Sequence, residues 1–163
     1  MERKICCFTG HRVLPADQVE NIYELFPSIL EKLYSQGVRE FRAGGALGFD
    51  TLAAREVIKY RISHPDVSLV LALPCVNQDE RWSARQRDAY SYVLSSANEV
   101  VYISEEFTDT CMKDRNRYLV EEADVLIAYA SRSASGAGQT VRMAKKRGVQ
   151  VYNLYFALPK GDR

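Results

Sequence analysis

The sequence is short of several things, and each shortage excludes a class of protein. Two histidines, His11 and His64, and four cysteines without a C-x-x-C pair provide no spacing suited to a metal site. Cys6 and Cys7 are adjacent, so on a strand they point to opposite faces and do not bridge. Buried thiols in a reducing compartment are the expectation for all four, Cys75 and Cys111 included. No run approaches the ~18 apolar residues of a membrane span, and Met1-Glu2-Arg3-Lys4 leads into a strand pattern where a signal peptide would have an apolar core. The chain therefore reads as cytoplasmic, with no membrane partner. Net charge is also nearly absent, since 22 basic and 21 acidic residues leave +1. Proteins that coat a duplex carry a basic excess, so the overall charge argues against nucleic acid as a partner, local patches aside.

What is present is the composition of an ordinary folded domain. The 163 residues, 47% hydrophobic and 26% charged, suffice for one domain with its own core. Residues 1–156 form that domain, and 157–163 read as a tail. Ile5 to Thr9 is a short apolar run ended by Gly10, a first strand. From Val19 to Leu33 apolar residues recur at helical spacing. Pro27 predicts a kink or break there, and Gly37 a stop. Val38 to Ala43 is a second strand. The run Val67 to Leu73 is almost wholly apolar, as in a strand covered on both faces of a parallel sheet. Further helices are predicted at about 51–61, 82–97, 112–122 and 139–147, and further strands at 99–103, 124–130 and 149–155. Strand and helix thus alternate through six strands. This order calls for right-handed crossovers and a mostly parallel sheet between two helical layers, with ligands at the carboxyl ends of the strands.

The loops after strands one, two, three and five share a bias in residue type. The second is Gly44-Gly45-Ala46-Leu47-Gly48-Phe49-Asp50, between a strand and a helix. Its glycines let the backbone approach a ligand and aim N–H groups at an anion. It is neither a G-x-G-x-x-G fingerprint nor a Walker A loop, and its plainer reading is a tight βα turn. Asp50 is a helix cap or an acceptor for a ribose hydroxyl. Thr9-Gly10-His11-Arg12 offers a guanidinium fork for phosphate, and His11 a donor or proton carrier. Pro74-Cys75 and Asp79-Glu80-Arg81-Trp82 follow the third strand. Trp82 stacks on a base or anchors the core, and Asp79 can cap the helix beyond it. A Cys75 nucleophile has no histidine nearby in sequence to support it. Arg115 and Asn116 start the fourth helix, where Arg115 can reach a phosphate or ribose. Gly136, Gly138, Gln139 and Thr140 close the set. Several such loops on one sheet edge suit an anionic, nucleotide-like ligand.

Together these segments resemble a known family. Phe8-Thr9-Gly10-His11-Arg12, the Gly44 to Asp50 loop, Pro74-Cys75 with Gln78-Asp79-Glu80-Arg81-Trp82, Asn116-Arg117 and Gly138-Gln139-Thr140-Val141-Arg142 stand in the order seen in YpsA-like proteins. These belong to the SLOG superfamily, with the DNA-processing DprA proteins and the LOG phosphoribohydrolases. The resemblance implies a Rossmann-like fold binding a nucleotide or a derivative such as ADP-ribose, and makes a homodimer plausible. Met112-Lys113-Asp114-Arg115-Asn116 is similar to the M-x-x-R-K segment of the LOG enzymes, which implies a ligand role for Arg115. Their second segment, P-G-G-x-G-T-x-x-E, corresponds to Ser135 through Arg142, with an arginine where those enzymes carry glutamate. Replacing a carboxylate by a guanidinium reverses the field at the anomeric carbon. Either the chain binds without hydrolysing, or Asp50, Asp79 or Glu80 supplies the acid. Three readings follow, in order: a sensor or binding protein for a nucleotide-derived ligand, an N-glycosidic hydrolase of nucleoside 5′-monophosphates using Arg115, and DprA-like binding of single-stranded DNA. The last is placed lowest because phosphate neutralisation supplies most such affinity and the net charge is near zero.

Overall fold

The computed structural model describes residues 3–158. Strands β1 (Lys4–Gly10), β2 (Val38–Ala43), β3 (Ser68–Leu73), β4 (Glu99–Tyr102), β5 (Val125–Tyr129) and β6 (Gln150–Asn153) form one sheet in the order β4-β3-β2-β1-β5-β6. Every pairing is parallel. Helices α1 (Ala16–Ser35), α2 (Phe49–Ser63), α3 (Ala84–Ser96), α4 (Cys111–Glu121) and α5 (Gly136–Lys146) fill the crossovers, and a short α6 (Leu154–Ala157) follows β6. This is the expected Rossmann-like α/β domain, with a sheet that is parallel throughout.

The chain steps outward from β1 to β4, then returns across the sheet to β5. Because crossovers are right-handed, reversing the direction of travel places the connecting helix on the other face. Accordingly α1, α2 and α3 cover one face and α4 and α5 the other. Pleating divides the strand residues between two cores. Phe8, Leu71 and Ile127 pack with Phe26, Phe49 and Val57, whereas Cys7, Leu126 and Ala128 pack with Leu119, Val141 and Ala144. Cys6 and Cys7 fall on opposite faces, as alternation requires. Burial pushes the Cys7 thiol up to about 12 and raises Cys6 as well, which leaves both unreactive.

Four local expectations are corrected. Of the kink or break that Pro27 predicts, the break does not occur, since α1 is continuous from Ala16 to Ser35. Its buried stripe of Ile22, Phe26, Leu30 and Leu33 holds it to the sheet. The carbonyl that loses its partner belongs to Tyr23, an exposed residue on the outer side of the helix. Helix α3 is capped by Ser83 and not by Asp79. Ser83 Oγ accepts from Gln86 N at 3.2 Å and Gln86 Oε1 accepts from Ser83 N at 2.9 Å, a capping box. Helix α5 starts three residues earlier than periodicity indicates, because Ser135 caps it by accepting from Gly138 N at 3.1 Å. The last strand ends at Asn153, whose side chain accepts from Tyr155 N and turns residues 154–157 into α6. Of the tail, residues 159–163 lie outside the described residues.

Candidate functional site

Strand order reverses between β1 and β5, and a cleft of about 290 Å³ opens at their carboxyl ends. Such switch points are where open parallel sheets bind ligands. Its lining comes from four segments that are distant in sequence: Thr9 to Arg12 after β1, Ala46 and Asp50 around the start of α2, Met112, Arg115 and Asn116 from α4, and Ser135 to Ala137 at the start of α5. The N-terminal turn of α5 thus borders the cleft with unpaired backbone N–H groups, a setting that favours an anion. Arg12 is exposed at the rim, whereas Thr9 and Arg115 are buried.

Charge in the floor is held by one acid and one base. Asp50 is 5% exposed; its Oδ2 accepts from Ala46 N at 3.3 Å, while its Oδ1 has no hydrogen-bond partner. It therefore secures the glycine loop and does not cap α2, whose N-cap is Gly48. Burial pushes the Asp50 carboxyl up to about 6, against the pull of Arg115, the Ala46 amide and Arg12. Arg115, also 5% exposed, donates from Nε to Asn116 Oδ1 at 2.8 Å and from Nη1 to the Gly44 carbonyl. Burial lowers Arg115 from its ordinary value and Asp50 opposes that. An unpaired buried carboxylate oxygen beside a buried guanidinium is costly unless a ligand group completes it.

The glycines hold the loops together. Gly48 has φ +78°, and a Cβ there would lie 2.3 Å from the Arg12 carbonyl oxygen. Phe49 N donates to the His11 carbonyl at 3.1 Å, and the Phe49 ring occupies the space above Gly10. The loop after β1 and the loop after β2 are therefore one packed unit. His11 extends this unit to β5. Its Nε2 accepts from Ser131 N at 2.8 Å, with Ser131 Oγ at 3.1 Å, so the neutral ring carries its proton on Nδ1. Burial lowers the His11 pKa, consistent with a bracing imidazole.

The loop after β3 does not enter this cleft. Cys75, Asn77, Gln78, Glu80, Arg81, Trp82 and Phe107 line a separate cavity of about 480 Å³. Pro74 is buried at the end of β3, and Asp79 receives Trp82 N in a turn at 3.0 Å. Trp82 sits before α3 and packs edge-on against Tyr90, ring centroids 5.1 Å apart. Within the glycine loop, Gly44 and Gly45 lie behind the cleft, closed off by Arg115 and by Leu73 and Gln78, and Phe49 is core. At α5, Gly138 packs on the Ser133 carbonyl, Gln139 ties back to the Ala134 carbonyl, and Thr140 donates to the Gly136 carbonyl. Those three support the cleft from outside its lining. Met112, Ser135 and Ala137 line it without having been singled out. Ser135 had a readable signal, a serine opening a small-residue run ahead of a helix. Arg142, at the position where LOG enzymes carry glutamate, donates to the Ser133 carbonyl at 3.1 Å and braces the same loop.

Fold and cleft together define a doubly wound, Rossmann-like protein with a polar, mainly cationic and amide-lined site at its switch point. The sequence model of the YpsA family, described as the YspA SLOG family, matches residues 8–157, and the chain belongs to this family. It is 30% identical over 146 residues to the uncharacterized SPbeta prophage-derived protein YoqJ of Bacillus subtilis, covering 81% of this chain and 85% of that one. It is 28% identical over 144 residues to a UPF0398 protein of Bacillus thuringiensis, covering 86% and 78%. Among solved structures, DNA processing protein A of Helicobacter pylori, described by its single-stranded DNA binding mode, superposes with a TM-score of 0.66 at 19% identity, over 96% of this chain and 66% of that one. DprA of Streptococcus pneumoniae superposes at 0.65 and 14% identity, over 93% and 50%. The chain thus spans about two thirds and half of those two proteins, and what it shares with them is the fold. This likeness corrects the expectation that set nucleic acid aside: the same architecture occurs in a neighbour described by its single-stranded DNA binding mode. Among the described residues no helix is long and apolar enough to cross a membrane.

Proposed function

We propose that the β1–β5 cleft binds the phosphate-bearing part of a nucleotide or nucleotide-derived ligand, and that the protein acts as a cytoplasmic binding protein or sensor for it. The observation that carries this reading is the pairing of Arg12 at the rim with Arg115 and the half-satisfied Asp50 in the floor, facing the first turn of α5. Guanidinium and helix N–H groups suit phosphate oxygens, and the free Oδ1 of Asp50 suits a sugar hydroxyl. Calorimetric titration with ADP-ribose, NAD and nucleoside monophosphates tests it. Binding that weakens at least tenfold in Arg12→Ala is the expected result, and no binding by any ligand to folded protein overturns it.

Binding without turnover is favoured over hydrolysis because Asp50, the one carboxylate lining the cleft among the described residues, is buried in its floor and tied through Oδ2 to Ala46 N. Glu80 faces the other cavity, Asp79 is held in a turn, and Arg142 is engaged with Ser133. A second reading, single-stranded DNA as the source of the bound nucleotide, is supported by the fold shared with DNA processing protein A. Fluorescence anisotropy with a labelled oligonucleotide at two salt concentrations tests it, since phosphate contacts produce a steep salt dependence.

A further inference from the structure

Resting on that reading, we infer that the second cavity, at the end of β3, receives the nucleobase of the ligand whose phosphate occupies the β1–β5 cleft. The two cavities share a wall. Ala46 lines the cleft, and the preceding residue, Gly45, accepts through its carbonyl from Gln78 Nε2 at 3.2 Å on the far side. A single stretch of glycine-loop backbone therefore separates them. β1 and β3 are two strand spacings apart, about 10 Å, which is within reach of one nucleotide or two consecutive ones.

The chemistry of the second cavity differs from that of the first. It offers two aromatic rings, Trp82 and Phe107, on facing loops. These loops are joined by backbone bonds from Val76 N to the Glu105 carbonyl at 3.3 Å and from Ser104 N to the Pro74 carbonyl at 3.1 Å. Trp82 is held by Tyr90, while Phe107 is 67% exposed. Exposed aromatic faces beside a phosphate site are what base stacking uses. Gln78 adds edge recognition. The Gly45 carbonyl can only accept, so the atom facing it must be the amide nitrogen, whose second hydrogen goes to Tyr90 Oη at 2.9 Å. The Gln78 amide oxygen remains as an acceptor for the exocyclic amine of a base.

The experiment uses Trp82 as its own reporter, because it is the sole tryptophan. The full chain is titrated with AMP, with ribose 5-phosphate, and with a short adenine oligonucleotide, following Trp82 emission and heat in parallel. AMP is expected to quench Trp82, and ribose 5-phosphate to compete with AMP without quenching. Phe107→Ala is expected to weaken AMP about tenfold while leaving ribose 5-phosphate affinity and thermal unfolding unchanged. Quenching by the oligonucleotide alone, lost in Phe107→Ala, assigns the base to a single strand instead of a free nucleotide. AMP binding that leaves Trp82 emission constant and is equal in Phe107→Ala overturns the base site and leaves the phosphate cleft standing. If neither AMP, ribose 5-phosphate nor the oligonucleotide binds, the cleft reading falls and this inference with it.

Discussion

Asp50 Oδ2 and Arg115 Nη1 flank the Cα of Gly44 on the side where any other residue would carry a Cβ. A Cβ added to Gly44 would lie 2.8 Å from Asp50 Oδ2 and 2.7 Å from Arg115 Nη1. The acid and the base of the cleft floor are therefore set at their separation by the absence of one methyl group. Gly44→Ala should displace the Arg115 head from its place beside the Gly44 carbonyl. Overpacking of this kind costs about 1–3 kcal/mol, readable as a lower urea midpoint, and ligand affinity should fall with it. A variant with unchanged midpoint and affinity would show that Arg115 has another seat.

The Asp50 carboxyl, raised to about 6 by burial, makes stability depend on pH in a defined direction. Its folded pKa exceeds the ordinary aspartate value of 3.8, so the folded state binds the proton more tightly than the unfolded state. The stabilisation from that proton is complete below about pH 4 and is lost as pH rises through 6. Relative to Asp50→Asn, the parent protein should lose on the order of 2–3 kcal/mol between pH 4 and pH 7, measured by denaturant unfolding of both proteins. Parallel pH profiles would contradict a buried, titrating Asp50.

Removing the base should move the acid. Arg115→Met takes away the nearest opposing charge while leaving Asp50 buried, and breaking such an arrangement costs about 3–5 kcal/mol. The Asp50 pKa should rise above 6, visible in its carboxyl carbon resonance. The double variant with Asp50→Asn should recover part of the loss, giving a favourable coupling in the mutant cycle. Simple additivity would mean that the two groups act independently.

Two glycines with the same backbone angle should respond differently. Gly48 has φ +78° with the Arg12 carbonyl in its Cβ position, whereas Gly148 has φ +79° with nothing within 4 Å. Gly148→Ala should cost only the left-handed conformation, about 1–2 kcal/mol. Gly48→Ala must in addition push two loops apart, since backbone cannot rotate away, and should be the more destabilising. It should also abolish ligand binding. Equal melting temperatures for the two variants would deny that the loops after β1 and β2 are fused.

His11 provides a test of the opposite sign. Its folded pKa is lowered by burial, so its contribution to stability is present above about pH 6.5 and lost as pH falls through the lowered value. Protonation removes the acceptor from Ser131 N–H. The Ser131 amide resonance should titrate together with the His11 ring, and His11→Ala should lower stability by about 1 kcal/mol. An amide shift independent of the ring would rule out the bond.

The strand and helix alternation was legible because each apolar run has the length and composition of its element. The residues of the cleft were legible only as types. Glycine, hydroxyl and arginine at strand ends indicated an anion site, but which loops meet depends on strand order, and alternation does not encode order. Trp82 and Arg115 both follow strands that step outward from β1. The turn in direction after β4 swings α4 back over β1, bringing Arg115 into the cleft and leaving Trp82 in the neighbouring cavity. Of the two roles open to Asp50, cap or sugar-hydroxyl acceptor, the cap fails for a related reason. Directly ahead of the helix expected from residue 51 it looks like a cap, yet α2 begins at Phe49 with Gly48 as its N-cap at positive φ, and the carboxylate meets Ala46 N instead.

The central position of β1 has a consequence for how the molecule comes into being. Its outer neighbour on one side, β5, is made more than a hundred residues later. The bonds that join them include Ile5 N to Asp124 Oδ2 across 119 positions and His11 to Ser131 across 120. During synthesis β1 can pair with β2 at once, but the cleft has no second bank until β5 and the start of α5 at Gly136 have emerged. Such long-range closure is slow to form. A small molecule that bridges both banks stabilises only the finished arrangement, so ligand supply would bias how much newly made chain reaches the native state as well as what that state then does.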